Sequence, residues 1–129
     1  MIHHLSVGTN DLKRAKAFYD PVMTVLGLRL LSRDDKSLDY GVGMVQFSLE
    51  TPVDGHPASP EMVDISLSWP KTADMVDEFY RVALKHGGTD DGPPGLRPEY
   101  NAHYYGAFVR DPDGNKIEAV THSARHQKM

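Results

Sequence analysis

A short alternating segment followed by a capped, amphipathic run occurs twice in this chain, roughly sixty residues apart, and that repetition limits the available folds more than any other feature. In the first copy Leu5 and Val7 alternate with His4 and Ser6, the period-two pattern of a half-buried strand spanning about Ile2 to Val7. Thr9-Asn10-Asp11 then offers capping side chains, and Leu12, Ala15, Phe18, Tyr19, Val22 and Leu26 recur at helical spacing until Gly27. In the second copy Val63, Ile65 and Leu67 alternate with Asp64, Ser66 and Ser68. Thr72 is placed to cap a helix whose inward stripe is Val76, Phe79, Tyr80 and Ala83, with Leu84 at its margin, ending at Gly87-Gly88. Phe79-Tyr80 stands where Phe18-Tyr19 stands, and all four rings are expected in the core.

After Gly27, Leu28 to Arg33, Leu38 to Val42 and Met44 to Glu50 read as three short strands, so the first unit is βαβββ. Pro21 lacks an amide donor and is expected to kink or shorten the first helix. Pro52, Gly55, Pro57 and Pro60 mark residues 51–61 as a linker. The second unit, about 62–122, closes with strands Tyr104 to Arg110 and Lys116 to Thr121 around the turn Asp111-Pro112-Asp113-Gly114. Residues 89–102, rich in Gly and Pro, are expected to be mostly loop with a short edge strand at their start. The polar tail 123–129, with His126 and the preceding His122, is expected to fray. The fold class is α+β: one domain, 1–129, of two βαβββ modules forming a curved mixed sheet with a central cleft.

A chain of 129 residues suits one domain. A net charge of -4 with no basic stripe argues against a nucleic-acid partner and for a small-molecule ligand. With no cysteine there is neither a disulfide framework nor a thiolate nucleophile, so a metal would need His, Asp or Glu. No export signal and no long apolar run is visible, which gives the expectation of a cytoplasmic protein with no membrane partner.

Strand alternation turns Leu5, Val7, Ile65, Leu67, Ile117 and Ala119 toward the helices, and leaves His4, Asp64 and Glu118 on the opposite face. If the two halves pair around a shared hollow, one imidazole and two carboxylates from three strands form a site for a divalent cation with open positions. Such an ion polarises a carbonyl or enediolate, or activates water, while a carboxylate such as Glu118 moves a proton. Arg97, Tyr100, His103 and Tyr104 lie in or beside the long loop, where a guanidinium and phenols suit an anionic or carbonyl-bearing substrate. The plainer alternatives are a hydrogen-bonded strand histidine, a strand-end aspartate, an edge-strand glutamate and a proline-stiffened surface loop. Trp69 reads as packing.

These residues resemble the vicinal oxygen chelate superfamily, the group of glyoxalase I, extradiol dioxygenases and bleomycin-resistance proteins, over nearly the whole chain. Ile2-His3-His4-Leu5-Ser6-Val7 with Asp11-Leu12 and Ala17-Phe18-Tyr19 is similar to the family's first strand and helix, and Asp111-Pro112-Asp113-Gly114-Asn115-Lys116-Ile117-Glu118 to its closing hairpin. Gly92 to Pro98, with Asn101 to Phe108, looks like a subgroup of small glyoxalase-like proteins of mostly unassigned activity. The resemblance implies His4 and Glu118 at the first-strand and last-strand ligand positions, and Asp64 at a position where many relatives carry histidine. That aspartate argues against an extradiol dioxygenase, and the absence of a strong ligand near Gln46, Phe47 or Ser48 against glyoxalase I. The implied function is a metal-dependent lyase, isomerase or epimerase acting on a small oxygenated metabolite, with Mn, Fe, Ni, Zn or Mg as cofactor. A metal-free sequestering protein of the bleomycin-resistance type is the alternative, and a homodimer is plausible in either case.

Overall fold

Each half of the chain folds along the lines of the repeat. The computed structural model describes residues 5–52, 64–67, 70, 72–100 and 102–122. The first module runs β1 (Leu5–Gly8), α1 (Leu12–Val25), β2 (Arg29–Arg33), β3 (Ser37–Val42) and β4 (Met44–Glu50). The second runs β5 (Asp64–Leu67), α2 (Ala73–Lys85), β6 (Thr89–Leu96), β7 (Tyr105–Arg110) and β8 (Lys116–Thr121). The strands form two four-stranded mixed sheets of identical order, β1-β4-β3-β2 and β5-β8-β7-β6. In each the first strand lies parallel to the last, and the remaining neighbours are antiparallel. The fold is therefore α+β with two βαβββ modules, and the register makes Ser6, Ser48 and Asp39 of the first module the counterparts of Ser66, Glu118 and Phe108 of the second.

Local chemistry sets the helix ends. Asp11 accepts from the Arg14 amide at 3.0 Å and Thr72 from the Met75 amide at 3.2 Å, each satisfying an orphan donor of a first turn. Gly27 (φ 85°) and Gly87 (φ 106°) end the helices in a backbone conformation that side chains disfavour. The stripes between them are buried: Ala15, Phe18, Tyr19, Val22 and Met23 on α1, and Val76, Phe79, Val82 and Ala83 on α2. They pack with Val7, Phe47, Leu49, Leu67, Val109, Ile117 and Ala119 from the helix-facing side of the strands. Burial of each large side chain contributes about 1.5–3 kcal/mol.

Three details depart from expectation. Pro21 does not shorten α1, which runs unbroken from Leu12 to Val25. The bond it forfeits is to the carbonyl of Ala17, an exposed residue whose oxygen water can satisfy. The segment expected to be mostly loop is instead the eight-residue strand β6, placed at the sheet edge, where Pro93 and Pro94 are tolerated and irregularities near Gly92 absorb the register shift. Tyr80 is only half-buried, its hydroxyl donating to Asp90 at 3.0 Å.

The Asp111–Asn115 turn joins the modules. Asp113 accepts from the Thr9 hydroxyl, the Asn10 amide at 3.0 Å and Arg14 at 2.7 Å, and Asn115 donates to the Gly8 carbonyl at 3.0 Å. The buried Tyr19 phenol donates to Asp111 at 2.6 Å. The motif that looked like a turn signal thus anchors β7 and β8 on the β1–α1 junction.

Candidate functional site

Alternation along β8 buries Ile117 and Ala119 and leaves Glu118 half-exposed on the face away from the helices. Across that face the register sets Ser66, Glu118, Phe108 and Gly92 in one row. Tyr104, just before β7, reaches back toward the same row. Its hydroxyl is 3.4 Å from Glu118 Oε1. Burial pushes the phenol's pKa up, a hydrogen bond from Ser66 pulls it down, and the charge of Glu118 raises it again. The net rise keeps Tyr104 protonated at neutral pH, a donor beside a carboxylate.

Missing side chains make room for this arrangement. A Cβ on Gly106 would lie 3.3 Å from the Tyr104 ring, and one on Gly92 (φ 150°) would lie 2.7 Å from the Phe108 ring. Phe108 is flanked by two cations, with the Arg97 guanidinium 5.0 Å and the Lys116 ammonium 5.1 Å from its centroid. The Tyr104 ring meets Tyr100 at 4.9 Å and His122, edge-on, at 5.2 Å.

The expected site residues divide into three groups. Glu118, Tyr104, Tyr100 and Arg97 come together on one face of the second sheet. His103 is exposed in the loop next to Tyr104. His4 and the side chain of Asp64 lie outside the described residues; the Asp64 backbone pairs with Lys116, at the start of β5. Among the described residues no three His, Asp or Glu side chains form a group able to hold a metal. Ser66, Phe108 and His122 were not singled out as site residues. Extending the alternation from Glu118 through Val120 would have put His122 on this face instead of in a frayed tail, while Ser66 and Phe108 needed the strand register.

The first module's face is different in chemistry. Ser48, 2% exposed, occupies the counterpart of Glu118 and donates to Asp39 at 2.8 Å, while Ser32 donates to the same carboxylate at 2.7 Å. A recess of about 400 Å³ lined by Lys13, Lys16, Ala17, Asp20, Pro21 and His86 shares no residue with the Glu118 face. No helix among the described residues is long and apolar enough to cross a membrane.

The model of the Glyoxalase/Bleomycin resistance protein/Dioxygenase superfamily matches residues 1–119. Among solved structures, a glyoxalase/bleomycin resistance protein from Albidiferax ferrireducens is 32% identical with a TM-score of 0.86, over 94% of this chain and 98% of that one. A lactoylglutathione lyase from Agrobacterium tumefaciens is 19% identical with a TM-score of 0.67, over 94% and 92% of the two chains, a likeness of fold. No curated protein matches. With a family model spanning nearly its whole length and a near-full-length relative on the same fold, the chain belongs to the glyoxalase/bleomycin resistance protein/dioxygenase superfamily.

Proposed function

We propose that this protein is a divalent-metal-dependent lyase, isomerase or epimerase acting on a small oxygenated metabolite, with His4, Asp64 and Glu118 as the metal ligands. The observation that carries this reading is the position of Glu118: half-exposed on the open face, with the Tyr104 and Ser66 hydroxyls beside it. Asp64 opens β5 two residues before Ser66, its backbone paired with Lys116. Two carboxylates and an imidazole suit Mn, Fe, Ni, Zn or Mg. When bound, the ion supplies Lewis acidity toward a carbonyl or enediolate oxygen. Glu118 accepts a proton from the substrate, Tyr104 holds one at its phenol oxygen, and Arg97, Tyr100 and His103 line the approach. Ser48 in the place of a fourth ligand favours a reaction other than that of glyoxalase I.

The test is metal binding by chelator-treated protein. Stoichiometric uptake of one of these ions, lost in both His4→Ala and Glu118→Ala with the fold intact, supports the reading; no uptake of any of them overturns it. The aromatic surface of Tyr100, Tyr104, Phe108 and His122 favours a second reading, metal-free sequestration of a ligand as in bleomycin resistance. Ligand binding unchanged by chelation, in a protein that takes up no metal, would select it. A homodimer, carried by the family resemblance, is tested by light scattering against the mass of one chain.

A further inference from the structure

Arg97 lies over the Phe108 ring on the open face of the second sheet, and a Cβ on Gly95 would lie 3.0 Å from its Nη1, a close approach that the bare glycine leaves clear. The Arg97 guanidinium donates to neutral groups, the carbonyls of Pro93 and, at the limit of reach, Leu96. Its neighbours differ. Arg110 is 3.1 Å and Lys116 3.8 Å from the Asp91 carboxylate, whereas no carboxylate among the described residues is within ion-pair reach of Arg97. Arg97 and Lys116 both overhang Phe108, whose partner on β8 is Glu118. Phe108 thus stands beside one carboxylate and two cations, and of the two cations Arg97 has no carboxylate within ion-pair reach among the described residues. A half-buried guanidinium with unspent donors matches a planar carboxylate, which it can hold through two parallel hydrogen bonds.

We propose that the ligand of this face is a small organic acid, bound with its carboxylate on Arg97 and its neighbouring oxygenated carbon toward Glu118. The proposal rests on the reading above that this face is the ligand site, and it narrows the substrate class. Lys116 adds positive charge at the same ring, and the Tyr104 and Tyr100 faces accept the planar part of the molecule. Esters, amides and neutral sugars of equal size lack the group that Arg97 is placed to bind.

The test uses chelator-treated full-length protein titrated with salicylate and with salicylamide, two probes of the same ring and ortho hydroxyl that differ in charge. Salicylate should bind about tenfold more tightly, the scale of one charge-assisted contact. The preference should disappear in Arg97→Met and survive in part in Arg97→Lys, both with the wild-type melting curve. Equal affinity for the two probes, binding of neither, or a preference that persists in Arg97→Met overturns the proposal. Metal uptake is read separately: its failure with the salicylate preference intact sinks the metal centre alone, and the reverse pattern sinks the organic acid alone.

Discussion

The phenol of Tyr19, on α1 of the first module, donates a 2.6 Å hydrogen bond to the carboxylate of Asp111, in the closing turn of the second. Both residues are buried, and burial raises both pKa values; for Asp111 the hydrogen bonds from Tyr19 and Asn115 pull the other way. Asp111 also accepts from the amides of Asp113 and Asn115, each at 2.9 Å, and from the Asn115 side chain at 3.0 Å. Tyr19→Phe takes away one donor from a buried acceptor and is expected to lower stability by about 1–3 kcal/mol. Asp111→Ala strands several donors at once and should cost more. Urea unfolding of both variants measures the difference.

Alkaline stability follows from the phenols. Burial, then the hydrogen bond to Asp77, pushes Tyr105 from 10.0 up to about 12, and Tyr19 is raised as well. Their folded-state pKa values lie above the unfolded ones, so their contribution is complete below pH 10 and is lost as pH rises through the folded values. Urea midpoints should hold level from pH 8 to about 9.5 and fall beyond it. Tyr105→Phe should make that fall shallower.

Gly92→Ala tests the packing beneath Phe108. The new methyl meets the Phe108 ring at 2.7 Å in a backbone conformation hostile to side chains, so Phe108 must move. A loss of about 1–3 kcal/mol is expected. Nuclear magnetic resonance shifts at Phe108 and Arg97 should accompany it, and a spectrum unchanged at both would refute the packing described.

Tyr104→Phe separates the site from the fold. The phenol is partly exposed and its bond to Glu118 is long at 3.4 Å, so stability should change by less than about 0.5 kcal/mol. On the proposed metal site, affinity for the ion should in contrast fall by about tenfold or more, because the hydroxyl beside the Glu118 carboxylate is removed. Isothermal titration with the bound ion reads the second quantity and thermal melting the first.

Thr72→Ala removes the side chain that accepts from Met75 at the start of α2 and should cost about 1 kcal/mol, measured by thermal melting.

The module pattern was legible because Leu5/Val7 and Ile65/Leu67 alternate cleanly and both helices carry capping residues at the right place. Proline hid β6, since at an edge a missing donor breaks no ladder, and local sequence does not say which strand is at an edge. Parity alone assigned Glu118 to the open face. Its neighbours Ser66 and Phe108 depend on how strands distant in sequence pair, and the seat of the Phe108 ring under Arg97 depends on the side chain absent at Gly92. The docking role of Asp111 and Asp113 was equally hidden, because a turn's type can be read locally but not what it lands on.

Glu118 follows closely on the turn that Thr9, Asn10, Arg14 and Tyr19 grip. The Glu118 carboxylate is therefore hung from the same bracket that couples the two halves of the molecule. On the proposed site, loosening that coupling would shift Glu118 relative to the first module, so the grip on a turn remote from the ligand would set the aim of the carboxylate.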